Sequence, residues 1–220
     1  MAYKLYKGGQ NLKKVYAGKQ YIKKIYKGTA LVWQADPYDP GATVWYQTGP
    51  GTFETELEVG VYDLIIAGAG GDDVRWAYGT WFHNHGGSGA AWEGQFYNPV
   101  KQYCKIYVGG IQNETNGQDS FLELGGVRMI TAGGGKRSTG TVSGYGGDPG
   151  IISVNSSLQI LEQRKSTNGN TGGRGVHNDT PTASVCSLNN WGQGGGSPIS
   201  VGGNVAISGG AQFRYIRLDR

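Results

Sequence analysis

The sequence predicts an all-β protein. It is a β-sandwich (jelly-roll-like) with packed polyglycine-II-type helices, preceded by a small β-meander arm. Three observations carry this. First, apolar, β-rich runs end abruptly in glycine. Val59–Ala67 empties into Gly68-Ala69-Gly70-Gly71, Ile106-Tyr107-Val108 into Gly109-Gly110, and Met129-Ile130-Thr131-Ala132 into Gly133-Gly134-Gly135. Second, glycine supplies 41 of 220 residues, more than turns alone require. It falls every third residue at Gly144, Gly147 and Gly150, and again at Gly169, Gly172 and Gly175. A polyproline-II helix has three residues per turn and no internal hydrogen bonds, so period-three glycine leaves one bare side where backbones meet. Third, a decapeptide repeat opens the chain.

That repeat fills the region before residue 35. Leu5-Tyr6-Lys7-Gly8, Val15-Tyr16-Ala17-Gly18 and Ile25-Tyr26-Lys27-Gly28 recur at ten-residue spacing, with Leu12-Lys13-Lys14 and Ile22-Lys23-Lys24 between them. Each unit reads as two short strands around a glycine-containing turn, the pattern of a meander. Leu5, Val15 and Ile25 fall on one face, and Tyr and Lys on the other. A small basic sheet of this kind buries little by itself, so it needs a partner. The first 35 residues hold eight Lys and no acid. The other 185 hold 12 basic and 16 acidic side chains and carry −4. Such an arm is the mark of docking onto nucleic acid, a membrane or an acidic protein surface. The absence of Arg from the arm argues against specific nucleic-acid recognition, which prefers its bidentate fork.

Asp36-Pro37-Tyr38-Asp39-Pro40-Gly41 reads as a linker. The domain division is therefore 1–35 for the arm, 36–42 for the linker and 43–220 for the glycine-rich body. In the body, strands are expected at Thr43–Gln47, Gly51–Leu57, Val59–Ala67, Gln102–Val108, Ser120–Leu124, Val127–Ala132, Ile151–Val154, Ala183–Leu188, Asn204–Ser208 and Gln212–Leu218. Ser157–Lys165 is the one candidate helix. Glu54, Glu56 and Glu58 alternate with Phe53, Thr55 and Leu57, which makes them one solvated face and not a catalytic cluster.

Chemistry-bearing motifs are few. Gly68–Asp73 has Asp where a dinucleotide fingerprint needs its third glycine, and Gly133–Arg137 has Ile130 and Arg137 where a phosphate loop needs Gly and Ser or Thr. His83-Asn84-His85 puts two imidazoles on one side of a strand, too few to hold a metal unless symmetry adds more. Cys104 and Cys186 allow one disulfide and form no zinc motif. No nucleophile triad or acid pair stands out, so no catalytic residue, cofactor or metal is expected. No secretory leader and no run of membrane-spanning length is visible.

Residues 72–98 read as a glycine- and aromatic-rich loop. Trp76, Tyr78, Trp81, Phe82, His83 and His85 are the candidate ligand contacts there, beside Asp72, Asp73, Arg75 and Asn84. Aromatic faces cover the apolar side of a sugar ring while acids, amides and Arg bond its hydroxyls. The competing reading is that these aromatics wall off glycine helices, which applies first to Trp92 and Phe96.

The order of parts resembles the glycine-rich domain of bacteriophage and prophage fibre proteins. Thr52-Phe53-Glu54 leads to the strand Val61–Ala67, then Gly68–Gly71. Gly86-Gly87-Ser88-Gly89-Ala90-Ala91, Val108-Gly109-Gly110 and Ala132–Gly135 follow, with Phe213–Leu218 as closing strand. The resemblance spans about residues 43–220. The glycine-rich ectodomain of the anaplastic lymphoma kinase receptor family is arranged similarly and lacks the rest of the chain. The arm resembles amino-terminal arms of gut-phage virion proteins. Many host-recognition fibres are far longer than this chain. The resemblance implies a non-enzymatic virion structural protein, a head or tail fibre or appendage, made in the bacterial host cytoplasm and exposed on the particle. It implies docking on other virion proteins through Lys13, Lys14, Tyr16, Lys23, Lys24 and Tyr26. It also implies a homo-oligomer, with a trimer favoured, and a host-surface glycan as ligand, with no nucleic acid and no membrane span. The alternatives are a decoration protein without ligand and a polysaccharide depolymerase.

Overall fold

Repeated short strands and glycine runs shape a computed structural model that describes the backbone of residues 6–7, 10–11, 15–17, 20–22, 24–27, 30–34, 43–72, 74–78, 80–111, 116–138, 147–172, 174–176, 182–189, 191–194 and 206–218. Side chains are described for the same residues except those before 43, 74–83, 174–176, 217 and 218. The chain divides into two compact units, Met1–Pro40 and Gly41–Arg220.

Among the described residues, the strands of the first unit pair two by two, in three antiparallel sheets. β1 (Tyr6–Lys7) pairs with β2 (Gln10–Asn11), β3 (Val15–Ala17) with β4 (Gln20–Ile22), and β5 (Lys24–Lys27) with β6 (Ala30–Gln34). The innermost pairs are Lys7 with Gln10, Ala17 with Gln20 and Lys27 with Ala30. In sequence the two residues between each pair begin with Gly8, Gly18 or Gly28, the chemistry that two-residue hairpin loops require. The ten-residue repeat thus encodes one hairpin per unit. Residues 36–42, the expected linker, lie outside the described residues, apart from the unit boundary just given.

The second unit is a sandwich-like pair of five-stranded antiparallel sheets. Its strands are β7 (Thr43–Gln47), β8 (Gly51–Leu57), β9 (Gly60–Ala67), β10 (Val74–Tyr78), β11 (Thr80–Asn84), β12 (Ala91–Asn98), β13 (Gln102–Val108), β14 (Ser120–Leu124), β15 (Val127–Ala132), β16 (Ile152–Val154), β17 (Gln159–Thr167), β18 (Arg174–Val176) and β19 (Gly210–Leu218). The first sheet has the order β17-β12-β9-β19-β7 and the second β16-β15-β14-β13-β8. β9 lies at the centre of its sheet and is buried along its whole length. A strand covered on both faces needs a continuous apolar run, which is what Val61–Ala67 supplies apart from Asp63.

Alternation decides what each strand contributes to the core between the sheets. Tyr62, Leu64 and Ile66 of β9 join Trp92, Phe96, Phe213 and Tyr215 from the neighbouring strands. Tyr62 stacks on Phe213 at 5.3 Å and on Phe96 at 5.8 Å. The second sheet answers with Cys104, Ile106, Val108, Leu122, Leu124 and Ile130, all buried. Phe53 of β8 bridges the two sheets, 5.5 Å from Trp45 and 6.1 Å from Phe213. Trp92 and Phe96 are therefore core residues of the sandwich. They sit on β12 and not in a loop. A Cβ on Gly94 between them would overlap the Glu162 carbonyl oxygen of β17 and lie 2.9 Å from the Trp92 ring.

Three expectations change. Ser157–Lys165 is not a helix: its residues run into the edge strand β17, paired with β12 through two register shifts. Ala183–Leu188 is not a strand either. Val185, Cys186 and Leu188 pack with Trp191 on the outer face of the first sheet, against Ile65, Ala67 and Ala91. The Lys165 ammonium donates to the Val185 carbonyl, the Ser187 amide to the Glu93 carboxylate and the Asn189 amide to the Tyr46 hydroxyl. These contacts hold the segment as a strap. In the expected strand Asn204–Ser208, the described residues 206–208 are not in a sheet, and Ile207 bonds to glycine segments. The two cysteines are free thiols, so the disulfide does not form.

Candidate functional site

Beyond the ends of β9, β12, β13 and β15, the glycine segments meet in one hydrogen-bonded network. Gly68 and Gly71 donate to Ala90 and Gly87, while Ala69 and Gly70 between them donate to Gln118 and Ile207. Gly87 and Ala90 donate in turn to Lys136 and Gly133, while Ser88 and Gly89 donate to Asn170 and Gly192. Gly133 and Lys136 reach Ile151 and Asp148, and Gly135 reaches Ala69. Gly147 and Gly150 reach His85 and Ser88, and Gly169 and Gly172 reach Gly150 and Gly147. Donors three residues apart thus serve the same neighbour, and the residues between them serve others. A ladder strand sends its donors to two flanking strands; these segments reach several partners at once.

Such close approach leaves no room for side chains. A Cβ on Gly147 would overlap the Lys136 carbonyl oxygen and come within 2.6 Å of the Gly87 nitrogen. On Gly70 it would come within 3.0 Å of the Gly194 Cα. Side chains instead cap the network's edges. Asp119 accepts from the Gly134 amide, Asn116 from Arg137 and Asn168 from Ile152. Every amide met this way is a polar group satisfied in a region with little apolar surface to bury. Gly175 is an exception to the period-three reading, because it lies on β18 opposite His83. Gly144 is outside the described residues.

The candidate ligand residues divide between two settings. Trp76 and Tyr78 lie on β10, and Trp81, Phe82 and His83 on β11. Together with β18 these strands form a separate three-stranded sheet, order β10-β11-β18, where the sequence reading had a loop. The register pairs Trp76 with Phe82, Tyr78 with Thr80, Ala77 with Trp81 and Arg75 with His83. Directly opposed residues share a face. Trp76, Tyr78 and Phe82 therefore belong to one face, with Val176 opposite Phe82, and Arg75, Trp81 and His83 belong to the other.

His85 is in the second setting. It follows β11 into the glycine network and is 1% exposed, and its carbonyl accepts from Gly147. Neither ring nitrogen has a hydrogen-bond partner among the described residues. A residue so enclosed does not touch a ligand at the surface. Among the described residues no group of three or more His, Cys, Asp or Glu is placed to hold a metal.

Of the anchoring candidates, Tyr16 lies on β3 opposite Tyr21, and Lys24 and Tyr26 on β5 opposite Gln34 and Leu31. Lys13, Lys14 and Lys23 are outside the described residues.

Glu54 and Glu56 are exposed and ion-paired. Lys105 meets Glu54 at 3.2 Å, and Lys101 meets Glu56 at 3.2 Å and Glu58 at 3.1 Å. The Lys105 ammonium, followed by the Tyr103 hydroxyl, holds the Glu54 carboxyl below its usual range. Missing from the sequence reading was the rest of this face. Tyr103, Lys105 and Tyr107 alternate along β13, and that spacing was the available signal. A second polar feature was also missed: Arg164 of β17 pairs at 2.7 Å with Asp63, the one acid on the central strand.

No protein-family model matches the chain. No curated protein matches it. Among the described residues no helix is long and apolar enough to cross a membrane.

Proposed function

We propose that this chain is a non-enzymatic bacteriophage virion protein, a head or tail appendage of fibre type. In this reading the basic hairpins dock on other virion proteins, and the glycine-rich body assembles as a homo-oligomer, a trimer first, and projects from the particle. The β10-β11-β18 sheet meets a host-surface glycan through one of its two aromatic faces. The glycine segments are polyglycine-II-type helices in a jelly-roll-like sandwich.

One observation carries the reading. The glycine motifs behind the resemblance to fibre domains, distant in sequence, converge in one network: Gly68–Gly71 bonds to Gly86–Ala91, Gly86–Ala91 to Ala132–Gly135, and Gly109 to Gly209. Donors that return to the same neighbour every third residue support the threefold helix, since three residues make one turn of it. Four passages of the chain between the two sheets, at β7–β8, β8–β9, β12–β13 and β16–β17, support the jelly-roll-like description. The lysine pairing of Glu54, Glu56 and Glu58 fits a structural role for those acids better than the depolymerase alternative.

The test is to purify particles from the host that encodes the chain and label them with an antibody against residues 43–220. Gold at the end of a projection, and its loss when residues 1–35 are deleted, is the expected result. Particles that carry none of the protein would refute a virion role. Trp81→Ala addresses the host contact: attachment falls with an unchanged Tm if the ring is a contact, whereas a Tm drop of several degrees makes it structural.

A further inference from the structure

The outer face of the second sheet carries aromatic rings apart from those of the β10-β11-β18 sheet. β13 presents Tyr103, Lys105 and Tyr107 on that face, with Phe121 of β14 opposite Tyr107 and Glu123 opposite Lys105. The Tyr107 and Phe121 rings stack at 5.2 Å with an interplanar angle of 27°. The Arg128 guanidinium lies 3.9 Å over the Phe121 ring, and the Tyr107 hydroxyl donates to Gln118. Tyr103 is 42% exposed and has no ring partner among the described residues. Along the strand, positions 103 and 107 are about 13 Å apart.

A cross-strand aromatic pair alone can serve the sheet. Tyr103 adds something else: an exposed ring in line with the pair, in register with Glu56 of β8. The charges point to the kind of partner. Lys105 is held by Glu54, Lys101 by Glu56 and Glu58, and Glu123 lies in register between Lys105 and Arg128. Four carboxylates, Glu54, Glu56, Glu58 and Glu123, stand against Lys101, Lys105 and Arg128, so each cation has an acid paired or in register with it. The face offers no free positive field for nucleic acid or an acidic polymer. What remains is ring surface separated by fixed donors and acceptors.

We propose that this face binds a neutral polysaccharide laid along β13, with sugar rings on Tyr103 and on the Tyr107–Phe121 pair. Glu54, Lys105 and Glu123 bond its hydroxyls, as the few polar groups of a sugar site do. The site is distinct from the β10-β11-β18 sheet and does not depend on the chain being a virion component.

Affinity electrophoresis of the full chain tests it, in gels carrying dextran, yeast mannan, β-glucan or galactan, with polygalacturonate as charged control. At least one neutral polymer retards the protein, and high salt leaves the retardation in place because no ion pair with the ligand is involved. Tyr103→Ala weakens it by roughly tenfold or more. Its Tm changes little, because the Tyr103 ring is 42% exposed and its loss opens no cavity in the core. Tyr107→Ala is the second variant. The proposal is overturned if no neutral polymer retards the wild type, if both tyrosine variants bind as well as wild type, or if only polygalacturonate binds. It is also overturned if Tyr103→Ala instead dissociates a dimer, which assigns the face to a second copy of the chain.

Discussion

Replacing Gly147 with alanine adds one methyl group where the structure has no space for it. The new Cβ would overlap the Lys136 carbonyl oxygen and lie 2.6 Å from the Gly87 nitrogen. Both neighbours are backbone, so no side chain can rotate away. To admit the methyl group, the segment must draw back from its partners. Three bonds are directly at stake: Gly147 N to His85 O and Gly172 N to Gly147 O, each 2.8 Å, and Gly87 N to Lys136 O, 2.9 Å. A buried donor or acceptor left unmet costs about 1–3 kcal/mol. Losing two, at about 2 kcal/mol each, gives roughly 4 kcal/mol, in the far tail of single-substitution effects. For a chain of this size that lowers Tm by about 8–16 °C. Gly49→Ala is the control, since nothing lies within 4 Å of its added Cβ. It changes stability by less than about 0.5 kcal/mol. Thermal melts followed by circular dichroism measure both. Equal Tm values for the two variants would refute the claim that the glycine segments are packed.

Other predictions follow from the same geometry. Burial pushes the Cys104 thiol up to about 12 and that of Cys186 to about 11, so both stay protonated at pH 8. A thiol-reactive dye should leave both unmodified in the native protein and label both after denaturation. Arg164→Met leaves the largely buried Asp63 carboxylate without its 2.7 Å partner and should cost about 2 kcal/mol in a urea melt; a neutral effect would mean that water replaces the guanidinium. Trp92→Ala empties a fully buried site and should cost about 3–5 kcal/mol by the same assay. Residues 43–220 expressed alone should remain folded with the full-length Tm for the body, because among the described residues their sheets contain no strand from the arm; an unfolded product would contradict this.

The sequence was most informative where alternation was clean. β8, β13 and β14 have the expected ends and alternate toward one core, and β7 and β15 have the expected ends with broken alternation. It misled where local composition and tertiary pairing disagreed. Leu158, Leu161 and Lys165 carry a helical spacing, yet β12 needs an edge partner, and two bulges let this uneven segment pair with it. Val185, Cys186 and Leu188 look like a strand, but their apolar side chains serve the strap over Ile65 and Ala91. Glycine density hid the β10–β11 hairpin, whose register separates aromatics that look like one cluster in sequence. His85 was grouped with them by proximity alone, although the next residues draw it into the glycine network. Tyr103 and Tyr107, read singly, are ordinary strand residues. Their common face appears only once β14 and β8 flank β13.

Residue-resolved amide hydrogen exchange tests the central claim, that backbone hydrogen bonds between glycine segments hold this body together. Gly71, Gly87, Gly135, Gly147, Gly150, Gly169 and Gly172 all donate within the network. Their amides should exchange as slowly as those of the central strand β9, since opening any one of them opens its neighbours. Exchange of these seven glycines at random-coil rates, beside a protected β9, would contradict the account.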